Sequence, residues 1–351
     1  MDLSFYKGKK IFITGNTGFK GSWLSKILLM AGADVLGYAL EPNTEPNLYT
    51  ILNLEGQMKT ITGDIRDYKL LYKSLNEFNP DIVIHLAAQP IVRESYKNPT
   101  YTYETNVMGT VNILEAIRNV STVKSFLNVT TDKVYLNKEW EYGYRECDEL
   151  CGYDPYSNSK SCSELVTYSY VKSFFNDKEF PRISTGRSGN VIGGGDFSID
   201  RIIPDSIKAY FDKETIKIRN PYSTRPYQHV LDCLNGYLTL IEKQYNDKSL
   251  AGNYNFGPND ESCVSTGDLV TKFCAATGNK VAWENMSDGG PHEANFLKLD
   301  CSKTKKNLGW TPKWTIDKAI EKIVEWSNEY KNNEDMNKVT EKQIEEFFRK
   351  E

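Results

Sequence analysis

Tyr156 and Lys160 stand four residues apart, about one helical turn, so on a helix their side chains share a face. An ammonium beside a phenol lowers the phenol pKa, and a tyrosinate near neutral pH accepts a proton from an alcohol. Asp154 and Pro155 supply an N-cap and a favourable first helical position directly before them. Any exposed helix can carry the same spacing by chance; what raises its weight is that it follows a strand ending in Thr130-Thr131-Asp132-Lys133. A second chemical signal is Thr14-Gly15-Asn16-Thr17-Gly18-Phe19-Lys20-Gly21, with glycines at 15, 18 and 21. Glycine there lets a pyrophosphate approach the backbone at a helix N-terminus, where N–H groups and the helix dipole favour an anion.

Both signals need a parallel sheet to place them, and the chain reads as one. Short β-branched runs at Ile11–Thr14, Asp34–Leu40, Thr60–Ile65, Asp81–Ala88, Ser125–Thr131 and Arg182–Thr185 alternate with helical stretches. Asp81–Ala88 is nearly all apolar, as expected of a central strand covered on both faces. Trp23, Leu24, Ile27 and Leu28 recur at helical spacing after the glycine turn, and Gly32 is placed to end that helix. This pattern predicts an α/β fold, a doubly wound parallel sheet of Rossmann type. Residues 1–186 form the nucleotide-binding domain, and the chain returns to it around 228–258. A smaller, mostly C-terminal α/β lobe takes 187–227 and 259–351. Gly193–Gly195, Pro204, Pro221 and Pro226 predict long loops from about 187 to 230. Thr340 and Gln343 form a capping-box pattern with Val339 and Ile344 as a staple and Phe347 following, which predicts a final packing helix starting there.

Composition bounds the rest. The 351 residues suit two lobes, and 43 basic against 47 acidic side chains give a net charge of −4. That balance argues against broad binding to nucleic acid or anionic membrane. Seven cysteines cannot all pair, and Cys147 and Cys151 lack the second pair or histidine that a zinc site needs, so reduced thiols and no metal are expected. The first ten residues have no apolar core, and no apolar run approaches the roughly 20 residues that span a bilayer. A cytoplasmic protein is expected.

The dinucleotide is read as NAD. The second strand ends near Glu41, the only acid near the ribose position and one that reads rather as a solvated loop charge, and no Arg or Lys lies between Lys26 and Lys59 to meet a 2′-phosphate. Asp64, after the third strand, sits where it can reach an adenine, although a turn aspartate has the same signature. His85 lies inside an apolar strand and reads as a core residue, and His292 carries no pattern.

The blocks GKKIFITGNTGFKGSWL, HLAAQPIVRESY, NVMGT, TTDKVYLNKEWEYGYRE, PYSNSK, GNVIGGGDF, DRIIPD and NPYSTRPYQHVLD, spread over roughly residues 8 to 232, resemble the extended short-chain dehydrogenase/reductases. Within these they are similar to the nucleotide-sugar 4,6-dehydratases, above all the branch acting on CDP-glucose. The resemblance implies oxidation at C4 of a hexose, loss of water across C5 and C6, and return of the hydride to C6. It implies that Tyr156 takes the O4 proton, Lys160 also holds the nicotinamide ribose, Thr131 hydrogen-bonds O4, and Asp132, kept protonated, releases the C6 hydroxyl. Dinucleotide contacts are implied for Gly15, Thr17, Gly18, Phe19, Gly21, Asp64, Ile65, Leu86, Ala87, Ala88, Asn106, Tyr156 and Lys160. Substrate contacts are implied for Asn190 and Arg225 at the diphosphate and more loosely for Arg201 and His229; Arg219 is a further candidate cation that reads equally as a surface charge, and Arg93 and Tyr96, after the fourth strand, are candidates to line the hexose pocket.

One position departs from the pattern. The dTDP-glucose dehydratases end the Thr-Asp triplet in glutamate, their C5 base, and this chain has Lys133. Either a neutral Lys133 removes the C5 proton or another group does. The competing readings are a dehydratase or epimerase for another nucleotide sugar, and a catalytically silent nucleotide-sugar binder. The resemblance also implies a homodimer built on the helix bearing Tyr156, where Cys162, Val166 and Tyr170 line one face.

Overall fold

The computed structural model describes residues 2–176, 179–286 and 295–349. Six strands open the chain: β1 (Lys10–Thr14), β2 (Asp34–Ala39), β3 (Lys59–Thr62), β4 (Ile82–His85), β5 (Ser125–Val129) and β6 (Arg182–Arg187). A seventh, Asn253–Asn255, pairs with β6. The order is Asn253–Asn255, β6, β5, β4, β1, β2, β3, all parallel. β4, β5 and β6 are buried along their whole length because helices cover both faces. The order reverses between β1 and β4, where Thr14 stands opposite His85, and ligands of such sheets bind at the carboxyl ends beside that reversal.

Strands end earlier than their apolar runs. β4 stops at His85 because the glycine turn crosses its end: a Cβ on Gly15 would lie 2.7 Å from the Ala87 nitrogen. β3 stops at Thr62, and Gly63 then lies against the Tyr38 ring. Helix α1 (Phe19–Met30) buries Trp23, Leu24, Ile27 and Leu28 and ends before Gly32, whose φ of 76° is the left-handed conformation that stops a helix.

The second lobe has its own core, built from Ile203, Ile207, Ile216, Ile218, Leu269, Phe273, Ile320 and Ile323. Two expectations change here. The segment expected as loop holds a helix, Ile202–Asp212, and Pro204 sits in its first turn, where no intrahelical N–H partner is lost. The final helix is Met336–Phe348, capped by Asp335 rather than Thr340. Thr340 instead accepts from the buried Trp326 indole, and Gln343 donates to the Lys322 carbonyl. Ile344 and Phe347 join the core of the nucleotide-binding lobe, and Glu341 pairs with Lys26 of α1 at 2.6 Å. The last helix therefore packs against α1.

Among the described residues no helix is long and apolar enough to cross a membrane. All seven cysteines are free, and among the described residues no group of His, Cys, Asp or Glu is arranged to hold a metal ion. His292 lies outside the described residues.

Candidate active site

The glycine turn is shaped to receive an anion. Gly15 has φ of 76°, and a Cβ on Gly21 would lie 2.2 Å from the Gly15 carbonyl, so neither position admits a side chain. At Gly18 a Cβ would meet the Gly15 carbonyl only at 3.5 Å; the approach there is open. Gly18 caps α1 without a side-chain hydrogen bond, which leaves the first N–H groups beside Phe19 to face the cleft. Thr17 is turned away and donates to the Leu40 carbonyl at 2.9 Å. These residues fit a dinucleotide pyrophosphate.

Around the turn the expected contacts divide into two sets. Leu86, Ala87 and Ala88 follow β4 directly over the turn, with the Ala87 N–H on Thr14 Oγ1. Ile65 is buried against Gly109. Asp64 is held by Arg66 at 2.7 Å, whose hydrogen bonds keep its carboxyl below the usual range. Glu41 accepts from Thr62 Oγ1 at 2.8 Å. Asn106 is fully enclosed: it accepts from the Gln89 N–H and donates to the Gln89 carbonyl and Ser159 Oγ. It ties the loop after β4 to the helix Pro155–Tyr170.

That helix begins as read, with Asp154 accepting from the Ser157 N–H and Pro155 in its first turn. Lys160 is buried, donates to the Val129 carbonyl at 3.1 Å, and has its pKa pushed down to about 8 by burial and the nearby Lys20 cation, against the pull of Glu164. Tyr156 is partly buried, and burial raises the phenol to about 12. Its hydrogen bond to Thr131 and the charge of Arg201 pull the other way.

Asp132 is 1% exposed. Its Oδ1 accepts from Thr131 Oγ1 at 2.9 Å, and its Oδ2 has no hydrogen-bond partner. Burial pushes this carboxyl up, opposed by Lys133, the Thr131 hydroxyl, Arg225 and Lys20. Gly189 makes the space: a Cβ there would lie 1.7 Å from Asp132 Oδ2. Lys133 is partly exposed on the short turn Asp132–Val134.

The second lobe brings Asn190 to the same cleft, with φ of 42° and a buried Oδ1 lacking a partner. Arg225 is buried and within electrostatic reach of Asp132, and Arg201 within reach of Tyr156, although Arg201 also stands 3.8 Å from Asp196. Arg219 pairs with Asp200 at 2.7 Å. Arg93 lies partly exposed on the helix Val92–Lys97, with Tyr96 exposed beside it. His229 departs from expectation: it is fully buried between Trp23 and Trp314, and its Nδ1 accepts from the Leu231 N–H to cap the helix Val230–Asn246. An enclosed ring used as a cap has no surface to offer a diphosphate. His85 is a core residue hydrogen-bonded to Thr14 at 2.7 Å, its pKa pushed down to about 3 by burial and the Lys160 charge.

Four residues at the site went unread. Lys20 lies inside the glycine turn, its ammonium 6.0 Å from the Tyr237 ring. Gly189 has no local signature. Glu164 and Arg187 form a buried pair at 2.9 Å, and Glu164 also accepts from Thr130 Oγ1 at 2.5 Å and Thr185 Oγ1 at 2.7 Å. A carboxylate four residues after Lys160 was the available signal, since it shares the face of Tyr156 and Lys160.

The family described as GDP-mannose 4,6 dehydratase matches residues 12–323. The chain belongs to this family. A CDP-glucose 4,6-dehydratase of Salmonella typhimurium is 45% identical over 353 residues, covering 99% of this chain and 98% of its own length. A dTDP-glucose 4,6-dehydratase of Xanthomonas campestris is 28% identical, covering 88% and 90%. Among solved structures, a dTDP-glucose 4,6-dehydratase from Bacillus anthracis in complex with NAD matches with a TM-score of 0.76 at 20% identity, over 95% of this chain and 100% of the other. A UDP-glucuronic acid 4-epimerase from Bacillus cereus, in complex with UDP-glucuronic acid and NAD, reaches 0.80 at 24% identity, over 92% and 99%. The nucleotide-sugar dehydratase motifs in the sequence and the family thus agree. Dehydratases and epimerases share the fold, so it is the residues at the carboxyl edge that separate their chemistry.

Proposed function

We propose that this enzyme is an NAD-dependent CDP-glucose 4,6-dehydratase, converting CDP-D-glucose to CDP-4-dehydro-6-deoxy-D-glucose and water. The observation that carries the reading is Asp132, a buried carboxyl pushed upward by burial and hydrogen-bonded to Thr131. An epimerase has no departing hydroxyl and no use for such an acid. The 45% identity to a CDP-glucose enzyme supports the choice of base.

Gly15, Gly18, Phe19 and Gly21 hold the NAD pyrophosphate, and Lys160 the nicotinamide ribose. Bound there, NAD supplies the group that accepts a hydride from C4 and gives it back at C6. Tyr156 receives the O4 proton while Thr131 orients O4. Lys133, third in the Thr131-Asp132-Lys133 turn, is the residue placed to remove the C5 proton and later return one to C5. Asp132 gives its proton to the C6 hydroxyl, which leaves as water. Arg225 and Asn190 meet the diphosphate and Arg93 the hexose, with Arg201 near Tyr156. The enzyme works in the cytoplasm, feeding deoxysugar units to surface polysaccharide. It pairs as a homodimer, a reading supported by Met108, Leu165 and Tyr168, which are 50%, 52% and 59% exposed on adjacent helical segments.

A panel of CDP-, dTDP-, GDP- and UDP-hexoses, read by mass loss of one water, tests this. CDP-glucose is expected to react fastest, and preference for another base overturns the specificity. Lys133→Met is expected to reduce bound NAD with substrate yet fail to exchange the C5 proton with D₂O. Retained exchange removes Lys133 from that role.

A further inference from the structure

The block Glu139–Tyr144 helps to mark the chain as a dehydratase, and the proton transfers do not draw on it. It begins seven residues after Asp132, and the rings of Tyr135, Tyr144 and Trp140 stack in series at 5.3 and 5.6 Å, which ties it to the catalytic turn Asp132–Val134. Its outer edge is shaped to receive another piece of backbone. A Cβ on Gly143 would lie 2.7 Å from the Asp300 nitrogen, so only glycine lets the segment 295–300 come that close. The Tyr144 N–H donates to the Lys298 carbonyl at 3.0 Å, the Asp300 N–H to the Tyr144 carbonyl at 2.9 Å, and Asn137 Nδ2 to the Phe296 carbonyl at 3.1 Å. At the start of the segment the Glu139 carboxylate accepts from the Asn295 N–H at 2.9 Å and from the Phe296 N–H at 3.1 Å. Glu139 itself stands at φ of 54°, held by a hydrogen bond of 2.9 Å from its N–H to Asn137 Oδ1. An ordinary surface glutamate has no reason to be kept in that conformation with two successive backbone N–H groups on one carboxylate.

The other edge of the same segment meets the chain just before Arg225. The Thr224 N–H donates to the Asn295 carbonyl at 2.8 Å, and the Leu297 N–H donates to the Thr224 carbonyl at 3.3 Å. The Arg225 guanidinium donates to that same carbonyl at 2.9 Å. The Thr224 carbonyl therefore aims the guanidinium, and the segment 295–297 aims the carbonyl. One continuous set of hydrogen bonds runs from the loop after the catalytic turn, through Glu139 and residues 295–297, to Arg225.

We propose that Glu139 is a positioning residue for the substrate diphosphate: by pinning Asn295 and Phe296 it registers the Thr224 carbonyl, and with it the Arg225 guanidinium, against the catalytic turn. A diphosphate seated on Arg225 then fixes where the hexose stands relative to Asp132, although the two side chains lie 93 positions apart in the chain. The acidic residue is thus used to orient a cation for an anionic ligand that it never touches. The inference rests on the reading of Arg225 as a diphosphate ligand given above.

Calorimetric titration of the NAD-loaded enzyme with CDP, and with cytidine, which has the base and no phosphate, tests the role. Glu139→Ala is expected to weaken CDP about tenfold, the loss of charge-assisted hydrogen bonds that hold the segment. Cytidine is expected to change less than about twofold, because it makes no demand on Arg225. Removing a negative charge would by itself favour an anion, so a weaker CDP has the opposite sign to a simple field effect. Glu139→Gln keeps one acceptor oxygen and is expected to weaken CDP about threefold, so the outcome does not depend on one variant's folding. In an Arg225→Ala background, Glu139→Ala is expected to change CDP binding less than about twofold, since no guanidinium is left to aim. Equal weakening of CDP and cytidine would show that Glu139 merely supports the fold and overturns the proposal, as does a full additional loss on top of Arg225→Ala. Arg225→Ala with undiminished CDP binding refutes the diphosphate reading and the positioning role together. A weakened Arg225→Ala beside unaffected Glu139→Ala and Glu139→Gln refutes the positioning role alone.

Discussion

Asp132 is a carboxyl placed where a charge is costly, and the neighbour that allows it there is a residue without a side chain. A methyl group at position 189 would overlap Asp132 Oδ2, at 1.7 Å, far inside any real contact. Gly189→Ala is therefore expected to lower dehydration by about 10²- to 10⁴-fold through displacement of the acid, with substrate affinity much less affected. Steady-state kinetics check it: a rise in KM with kcat preserved would place the damage in binding instead. Tyr156 and Lys160 were singled out by residue type and spacing, and Thr131 and Asp132 by resemblance to the dehydratases. Gly189 was not, because its role is set by a side chain 57 positions earlier in the chain.

The helix Pro155–Tyr170 carries Tyr156 and Lys160 toward the cleft and Glu164 beneath them. Arg187 at the end of β6 meets Glu164 through two hydrogen bonds of 2.9 Å and passes a third, at 2.8 Å, to the Tyr135 hydroxyl. Tyr135 then donates to Asn255 in the seventh strand. Although burial alone would raise it, Arg187 holds the Glu164 carboxyl below its ordinary range. Removing one partner of a buried pair strands the other charge, so Glu164→Gln is expected to destabilise the fold by about 3–5 kcal/mol. Replacing both, with Glu164→Met and Arg187→Met, is expected to cost less than either single change. Urea unfolding of the three variants checks this, and additive losses would show that the pair is not coupled. Elements with strong periodicity, such as α1, were readable from their spacing. The helices Ile202–Asp212 and Met336–Phe348 were harder, since a first-turn proline reads as a break and a buried Thr340 reads as a cap.

Across the whole molecule, titrating groups buried in neutral form tie stability to pH. Burial holds His85 and His229 at about 3, with the Lys160 and Lys322 cations adding to the shift. A histidine depressed from about 6.5 binds its proton first in the unfolded chain, so its contribution is complete above about pH 6.5 and is lost as pH falls toward 3. Asp205 and Asp232, raised by burial to about 6 and about 7, act in the opposite sense: the folded state holds their protons from those values down to about 4. A single substitution isolates one term. His229→Asn keeps a residue able to cap the helix Val230–Asn246, and is expected to make the loss of stability below about pH 6.5 shallower by about 1.4 kcal/mol per pH unit. Urea midpoints of parent and variant over that range decide it, and parallel curves would count against a neutral buried His229.

Local rules were enough for the strand–helix alternation, the anion-binding turn and the placing of Tyr156 and Lys160 on one helix, because backbone geometry and helix dipoles act over a few residues. The protonation states, the enclosure of Asp132 and His229, and the return of the last helix to α1 depend on burial and on neighbours distant in the chain. Desolvation is set by everything that surrounds a group, and no window of sequence contains that.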